Sequence, residues 1–214
     1  MNITFIGIGN VGSALADHLA QQGHQVTIAA RDLNSDTVKA AQERNPALIP
    51  QPVAEAVSEA DVVFLATPFA ANESALKSAG DLSGKVVVDC TNPVGANLSH
   101  GLNSTISGAE TVQQTVPTAK VVKAFTIYGF DNFADTEYPG YQADGADLKP
   151  AMLIAGDDAA AKATVSELCT QLGWEAVDTG PLSMSLHLEH MALLWIKMAF
   201  QGLGTGFTWA ILRR

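Results

Sequence analysis

The sequence predicts an α/β protein with a doubly wound, mostly parallel sheet and a small C-terminal helical part. Three observations lead to this prediction. Short apolar runs alternate with helical segments over about the first 125 residues, which is the pattern of repeated βαβ units. A glycine-rich turn connects the first run to the first helix, a placement typical of doubly wound sheets. The chain has 214 residues, of which 47% are hydrophobic and 16% charged, so it can bury the core of a folded domain.

The first part of the chain contains most of the strands and the helices that cross between them. Parallel strands that are buried on both faces have short, continuous apolar sequences. We expect such strands at residues 3–6, 26–29, 62–66, 86–89 and 121–124. Apolar spacing and terminating glycine or proline residues predict helices at residues 11–22, 32–44, 72–78 and 110–114. Residues 92–108 are rich in turn-forming types and predict a loop.

The second part of the chain continues the alternation less regularly. Residues 128–149 show no periodicity and predict a long loop. A strand at 151–155, a helix at 159–171 and a strand at 174–177 follow it. A long helix begins at Pro181-Leu182 and runs to about residue 201.

The charge balance excludes one class of partner. The formal net charge is −10, from 12 basic and 22 acidic residues. A protein that binds a nucleic-acid backbone needs a basic face, so we expect no nucleic-acid partner. Seven acidic residues but only one lysine lie between residues 131 and 158. Such runs are usually solvated loops, and the sequence leaves the role of this one open.

Cysteine usage and the N-terminal residues indicate a reducing compartment. Cys90 and Cys169 are far apart and have neither the spacing of a disulfide framework nor that of a metal site. The N-terminus lacks the basic region of a secretory signal. The longest apolar stretch, residues 191–200, is interrupted by Lys197, and a membrane span needs about 20 apolar residues. We therefore expect a cytoplasmic protein that does not enter a membrane.

The glycine-rich turn has the spacing of a phosphate-binding loop. Gly7-Ile8-Gly9-Asn10-Val11-Gly12 fits G-x-G-x-x-G directly after a strand and at the start of a helix, the context in which this motif is informative. Gly7 allows the tight turn, Gly9 the close approach of a pyrophosphate, and Gly12 the packing of the helix on the sheet. The helix N-terminus would also offer unpaired N–H groups to the phosphates. The sequence thus predicts a dinucleotide site in a Rossmann-like domain.

The end of the second strand favours NADP over NAD. In NAD-binding domains an acidic residue about 20 residues downstream binds the ribose 2′-hydroxyl. Here Ala30 occupies that place and Arg31 follows it, and a guanidinium can pair with a 2′-phosphate through forked hydrogen bonds. Ser35 can add a hydroxyl to the same phosphate. Asp32 is the open alternative, because it could neutralise Arg31 or bind a ribose.

The carboxyl ends of the later strands supply further candidate contacts. In an open parallel sheet these ends face the bound nucleotide. We take four residues there as candidate cofactor contacts, namely Thr67, Pro68, Asn92 and Phe125. Ordinary turn chemistry explains the same residue types equally well, so both interpretations stay open.

The last helix is apolar on two neighbouring stripes. The first stripe includes Glu189 and the second includes Trp195 and Met198. One sheet covers only one stripe, so we expect a homodimer that buries part of residues 182–200. The alternative is that the acidic loop folds over the helix within one chain. Phe207, Trp209 and Ile211 can pack back over the cleft or across the dimer axis. A carboxylate inside an apolar stripe must be hydrogen-bonded, and Glu189 could cap backbone amides, pair with an arginine or act as an acid. We divide the chain into a dinucleotide-binding domain, 1–180, and a C-terminal helical segment, 181–214, that contributes to the cleft and the dimer contact.

Two histidines on the same helix do not indicate a metal site. His187 and His190 are three residues apart, but the sequence places no third ligand near them. We expect no bound metal and assign both histidines to the polar face of the helix.

Together these motifs resemble a known family. The chain is similar to the NADPH-dependent coenzyme F420 reductases, also called deazaflavin-dependent NADP oxidoreductases, and to the related cytoplasmic domain of the STEAP metalloreductases. The resemblance runs nearly end to end. It is carried by residues 7–12, Ala30-Arg31, Thr67-Pro68-Phe69, residues 121–125, residues 179–182, Leu188-Glu189 and Gly202-Leu203-Gly204.

The resemblance implies roles for individual residues and a homodimer. Residues 8–11 would hold the pyrophosphate, Ala30, Arg31 and Ser35 would surround the 2′-phosphate, and Pro68 would lie near the nicotinamide. Hydride would pass directly between the nicotinamide and a flavin-like ring, so no catalytic side chain is named. Some family members have Ser in place of Ala30 and Lys in place of Ser35, which implies modest affinity for the 2′-phosphate.

The sequence therefore predicts an oxidoreductase that transfers hydride between NADP(H) and a deazaflavin, a flavin or another small redox acceptor. The alternative is a non-catalytic NADP(H)-binding module that senses the nucleotide, because no acid–base pair is recognisable. The sequence determines neither the acceptor nor the direction and stereochemistry of transfer.

Overall fold

One sheet runs through the computed structural model, which describes residues 1–138 and 148–214. In these residues it has eight strands: β1 (Asn2–Ile6), β2 (Gln25–Ala30), β3 (Ile49–Pro52), β4 (Val62–Leu65), β5 (Val86–Asp89), β6 (Lys120–Lys123), β7 (Ala151–Gly156) and β8 (Glu175–Asp178). Their order across the sheet is β3-β2-β1-β4-β5-β6-β7-β8. Neighbours pair in parallel except β6 and β7, which are antiparallel. The predicted fold class is confirmed.

Helices cover both faces of this sheet. They are α1 (Asn10–Gln21), α2 (Asp36–Arg44), α3 (Val53–Glu59), α4 (Asn72–Ser78), α5 (Gly108–Thr115), α6 (Asp131–Ala134), α7 (Ala159–Gln171) and α8 (Ser185–Met198). Successive strand residues point to opposite faces of the sheet. Accordingly, Phe5 and Phe64 belong to one layer of the apolar core, and Ile6 and Leu65 belong to the other.

Two elements in the first part of the chain, β3 and α3, were not predicted from the sequence. β3 contains Pro50 and Pro52, which cannot donate to a ladder, but it lies at the edge of the sheet, where proline is tolerated. α3 follows immediately, and Ala56 and Val57 are its buried residues, too few for a clear apolar stripe. α2 also begins at Asp36 rather than residue 32, because the Ser35 side chain caps it by accepting from the N–H of Val38 at 3.4 Å.

The long loop predicted at 128–149 is only partly confirmed. The short helix α6 lies within it, so the segment is not all loop. Residues 139–147, which belong to the predicted loop and its acidic stretch, lie outside the described residues.

The C-terminal residues cover α8 from within the same chain. A 3₁₀ turn at Leu182–Met184 precedes α8, and a turn at Ala199–Leu203 follows it. The Phe207 ring then stacks on Trp195 with ring centroids 5.2 Å apart, and the Trp195 indole donates to the Phe207 carbonyl at 2.9 Å. Trp195 is therefore 4% exposed, and the expectation that it lies on an uncovered stripe is wrong. The exposed apolar side chains here are instead Leu194, Phe200 and Leu203.

The strand order fixes where a ligand can enter. β1 lies between β2 and β4, so the order of connection reverses between β1 and β4. In doubly wound sheets the crevice outside the carboxyl ends of the strands at such a switch point is the usual ligand site.

Among the helices in the described ranges, none is long and apolar enough to cross a membrane.

Candidate functional site

The phosphate-loop motif lies in this crevice and needs two of its glycines for packing. Gly7 has a φ of +100°, and a Cβ there would lie 2.6 Å from the Ala66 carbonyl oxygen. A Cβ on Gly12 would lie 2.2 Å from the Gly7 carbonyl oxygen. Both positions therefore exclude any side chain, since real Cβ atoms do not come so close to backbone oxygens.

Gly9 has a different environment. A Cβ at this position would meet nothing within 4 Å, so the loop faces open space here. Gly9 is also the N-cap residue of α1 and has no side chain to satisfy the first N–H groups of the helix. An open cradle in front of uncapped amides fits a pyrophosphate, which these groups would hold through hydrogen bonds and the helix dipole. Asn10 and Val11 form the first turn of α1 beside this cradle.

A cleft of about 370 Å³ adjoins the loop. It brings together six of the predicted site residues: Gly7, Ile8, Ala30, Arg31, Ser35 and Thr67. Four small residues of α4 and the turn before it form another part of the wall: Ala71, Ser74, Ala75 and Ser78. We did not predict this second set, although their spacing of three to four residues on a short helix was a usable signal.

Arg31 is available to a ligand in this cleft. Its side chain is exposed, and the ion pairs found within residues 1–138 and 148–214 do not involve it. The Asp32 carboxylate instead accepts the N–H of Asn34 at 2.9 Å, an ordinary Asx turn. The alternative in which Asp32 neutralises Arg31 is therefore not what the structure shows.

The remaining predicted contacts lie at the ends of β4, β5 and β6. Pro68 is exposed, directly after Thr67 in the cleft wall. Asn92 is half-buried and donates its side-chain N–H to the Thr126 carbonyl at 2.8 Å. The Phe125 side chain is 1% exposed and packs in the core, so a ligand contact at this position would come from the backbone.

A cluster of buried charges joins these strand ends to α8. Lys123 Nζ lies 2.9 Å from Asp89 Oδ2 and 2.8 Å from Glu189 Oε1. Glu189 Oε2 also accepts a hydrogen bond from His100 Nε2, which lies 2.8 Å away. Lys123 and Asp89 are 0% exposed and Glu189 is 1% exposed. We call these four residues the buried cluster.

Glu189 is held by more than its lysine. It accepts the N–H of Gly108 at 3.0 Å and of Ala109 at 3.3 Å, at the N-terminus of α5. A Cβ on Gly108 would lie 3.1 Å from Glu189 Oε1 and 2.9 Å from the Phe69 ring, so glycine allows this close approach. The expectation that Glu189 is buried and hydrogen-bonded is confirmed, with a lysine in place of the arginine that we considered.

Opposing effects set the pKa values in the buried cluster. Burial disfavours the charged form of Lys123, but the adjacent Asp89 and Glu189 outweigh it and raise the pKa of Lys123 above its ordinary value. Burial likewise favours protonated Glu189, yet Lys123 and the bonds from Gly108 and His100 bring the pKa of Glu189 below its ordinary value. The pair is therefore ionised at neutral pH.

The other titratable candidates are less informative. His187 and His190 are exposed, and the His190 ring stacks on His100 with centroids 5.2 Å apart. Where the structure describes the chain, no group of three or more His, Cys, Asp or Glu side chains could hold a metal ion. Cys90 and Cys169 are free and buried, and burial raises the pKa of both thiols.

Comparison with known proteins identifies the family. A family model described as NADP oxidoreductase, coenzyme F420-dependent, matches residues 2–93. The crystal structure of an Arthrobacter sp. FB24 protein, provisionally described as an F420-dependent NADP-reductase, is 31% identical with a TM-score of 0.86, and the match covers 100% of both chains. The chain belongs to this family. It is thus a member of an NADP-dependent oxidoreductase family with a Rossmann-like fold.

More distant relatives extend the comparison. Metalloreductase STEAP3 of Rattus norvegicus is 30% identical over 197 residues, which are 89% of this chain but 36% of STEAP3. This chain therefore spans about a third of that curated relative. A reductive aminase from Aspergillus terreus, in complex with NADPH and ethyl levulinate, is 18% identical with a TM-score of 0.65, over 94% of this chain and 62% of the aminase. At that identity the likeness shows a shared fold.

Sequence analysis singled out Glu189 of the buried cluster but missed its partners Lys123, Asp89 and His100. Asp89 ends an otherwise apolar strand, Lys123 follows two buried valines, and Glu189 stands in an apolar helix. Charged residues in apolar runs were a usable signal that they pair with one another. Their separations of up to 100 positions in the sequence hid which residue pairs with which.

Proposed function

We propose that this protein transfers hydride between NADP(H) and a deazaflavin, a flavin or another small redox acceptor. The observation that carries the proposal is a cleft in which Gly7 and Ile8 of the glycine loop meet Arg31, with open space in front of the neighbouring Gly9. Such a cradle fits a pyrophosphate, and an arginine in place of the acidic residue at Ala30 fits a 2′-phosphate. Family membership supports the same nucleotide.

The proposed binding roles follow the positions of the residues. The backbone of Ile8, Gly9, Asn10 and Val11 holds the pyrophosphate at the N-terminus of α1. Arg31 binds the 2′-phosphate from the end of β2, and the small side chain of Ala30 leaves room for it. The Ser35 hydroxyl accepts a hydrogen bond as the cap of α2, so its proton is still available to the 2′-phosphate. Further contacts come from the strand ends, at Thr67, Pro68, Asn92 and the backbone of Phe125.

The chemistry at this site needs little from side chains. Bound NADPH supplies the hydride, and the protein binds the nucleotide and orients it against the second ring. We assign no catalytic acid or base, because hydride transfer to a deazaflavin or flavin leaves an anionic ring nitrogen that can take its proton from water. The buried cluster links the ends of β5 and β6 to α8.

A deazaflavin is the first acceptor to test, because the related Arthrobacter protein is provisionally described as F420-dependent. We would mix the purified protein with NADPH and, separately, coenzyme F420, flavin mononucleotide and a cyclic imine, and follow NADPH absorbance. We expect oxidation with the deazaflavin and slower oxidation with NADH as donor. Tight NADPH binding without oxidation by any acceptor would favour the non-catalytic sensor, and no binding would contradict both functions.

A homodimer is part of the same proposal. Phe200 is 79% exposed and Leu194 and Leu203 are also exposed, so an apolar surface remains at the end of α8 after the chain's own tail has folded back. A second copy is the commonest partner for such a surface. We assign residues 181–214 to this contact and to the cleft, with 1–180 as the dinucleotide-binding domain.

A cytoplasmic location likewise stays a prediction, testable by cell fractionation.

A further inference from the structure

A chain of side-chain hydrogen bonds leads from the cleft to the buried cluster. Thr67 Oγ1 lies 2.7 Å from Asn72 Oδ1, and Asn72 Nδ2 lies 2.8 Å from Thr91 Oγ1. Thr91 Oγ1 in turn lies 2.7 Å from Asp89 Oδ1. Thr67 lines the cleft, whereas Asn72, Thr91 and Asp89 are buried. We call these four residues the relay.

The direction of each hydrogen bond in the relay is fixed from its buried end. Asp89 accepts hydrogen bonds at both carboxyl oxygens, from the Thr91 backbone N–H at Oδ1 (3.0 Å) and from Lys123 Nζ at Oδ2 (2.9 Å), so it is an acceptor toward the Thr91 hydroxyl as well. Thr91 must therefore give its single hydroxyl proton to Asp89, so it can only accept from Asn72. The amide nitrogen of Asn72 then faces Thr91 and its oxygen faces Thr67. Thr67 in consequence donates its own proton to Asn72.

This polarity decides what the Thr67 hydroxyl offers a ligand. Its proton is committed to Asn72, so its lone pairs alone remain for the cleft. Thr67 lies beside the phosphate loop, since a Cβ on Gly7 would be 2.8 Å from the Thr67 nitrogen. The lone pairs of its hydroxyl would nevertheless repel a phosphate oxygen. A neutral N–H or O–H donor would instead be bound.

We propose that Thr67 is a specificity-determining acceptor for a neutral hydrogen-bond donor of NADP(H), with Asn72, Thr91 and Asp89 as the positioning residues that set its polarity. The donor is either a ribose hydroxyl or the carboxamide N–H₂. This inference rests on the proposed function, because it assumes that NADP(H) occupies the cleft.

Two substitutions at Thr67 test the contact directly by NADPH titration calorimetry. Thr67→Val keeps the shape and removes the hydroxyl, and we expect binding to weaken about threefold to tenfold, as for loss of one neutral hydrogen bond. Thr67→Ser keeps the hydroxyl and should bind within about twofold of the parent. Unchanged or tighter binding by Thr67→Val would overturn the inference.

A double-mutant cycle tests the relay. Thr91→Val touches no ligand but frees Asn72 to rotate, so we expect weaker NADPH binding than the parent, by less than for Thr67→Val. In the Thr67→Val background, Thr91→Val should cause no further loss, because it acts only through Thr67. Equal losses in both backgrounds would show a merely structural role, and Thr91→Ser should restore the parent affinity.

An analogue separates the two donors, and the parent protein separates the two proposals. In 3-acetylpyridine adenine dinucleotide phosphate an acetyl group replaces the carboxamide and carries no N–H. If the carboxamide is the donor, Thr67→Val weakens NADPH but not the reduced analogue; a ribose donor gives equal losses. If the parent binds NADPH and Thr67→Val does not weaken that binding, the role of Thr67 is wrong but the proposed function stands. If the parent does not bind NADPH, the proposed function is overturned as well.

Discussion

Glu189 shows at the residue scale how a carboxylate is stabilised inside an apolar helix face. Removing a charge from water costs several kcal/mol, and only close partners offset it. Here one lysine, one histidine and two backbone N–H groups surround the carboxylate. The net pKa of Glu189 lies below its ordinary value despite the burial, so the partners outweigh the desolvation.

We expect Glu189→Ala to destabilise the fold by about 3–5 kcal/mol, because it leaves Lys123 buried with a partner lost. Glu189→Gln should cost less, since the amide keeps part of the bonding. Urea unfolding measures both values. Glu73→Ala is the control, because the Glu73–Lys77 pair is exposed and its loss should leave stability nearly unchanged. Parent-like unfolding of Glu189→Ala would contradict this account.

Arg31 is the residue on which nucleotide preference is expected to depend. Hydrogen bonds to charged groups contribute about 1.5–3 kcal/mol, which is roughly a tenfold to a hundredfold change in affinity. Arg31→Ala should therefore weaken NADPH far more than NADH in calorimetric titrations. Arg44→Ala is the matched control, because the Arg44 guanidinium pairs with Asp17 and does not line the cleft. Equal losses of NADPH and NADH in Arg31→Ala would exclude a 2′-phosphate role.

At the element scale the phosphate loop combines packing and binding in separate glycines. Gly12 is needed where α1 packs on the loop, whereas Gly9 faces the open cradle. The same motif therefore contains one position under steric constraint and one that is free of it. This separation lets stability and binding be tested independently.

We expect Gly12→Ala to lower the melting temperature, because its Cβ would lie 2.2 Å from the Gly7 carbonyl oxygen. Gly9→Ala should melt like the parent, since Gly9 has φ −73° and open space around it. Its methyl group would nevertheless occupy the cradle, so NADPH affinity should fall. Thermal melting with and without NADPH distinguishes the two variants, and parent-like NADPH binding by Gly9→Ala would place the pyrophosphate elsewhere.

At the scale of the whole molecule the buried cluster connects α8 to the sheet and makes stability depend on pH. The lowered pKa of Glu189 gives stability that is present above its ordinary value of 4.5 and is lost as pH falls through the folded value. The raised pKa of Lys123 gives stability that is present below 10.5 and is lost as pH rises through its folded value.

We therefore expect the free energy of unfolding to fall on acidification below about pH 4.5 and to fall less steeply in Glu189→Gln, which has no carboxyl to protonate. Urea unfolding across the acidic range measures the difference between the two slopes. Identical slopes would mean that Glu189 does not contribute to acid unfolding.

The proposed homodimer is a second property of the whole molecule. Phe200→Glu should lower the mass seen by light scattering from about twice 22.4 kDa to that of one chain. Leu33→Glu is the control, because Leu33 is also an exposed apolar residue, at 38%, but lies outside residues 181–214. Trp195→Glu is unsuitable, since it would place a charge in the core. A parent protein of one-chain mass would refute the dimer.

Some features could be predicted from the sequence because they depend on neighbouring residues. The helices Asn72–Ser78 and Ala159–Gln171 and the strand Val86–Asp89 have the predicted bounds. Apolar periodicity and terminating residues act within one or two turns of chain, so they are legible locally. Edge strand β3 was missed because its prolines are acceptable only at a position in the sheet that local sequence does not reveal.

The sequence by itself determined the alternation of strands and helices, the glycine loop and the arginine after the second strand, since each depends on a few consecutive residues. The tertiary structure decided that Lys123 pairs with Asp89 and Glu189, that Phe207 covers Trp195, and that Thr67 is linked to a buried carboxylate. These contacts join distant segments, and sheet order together with helix packing selects among the many pairings that residue types alone would allow. The relay follows the same rule, because Lys123, which donates to the carboxylate at the buried end of the relay, comes from a different strand.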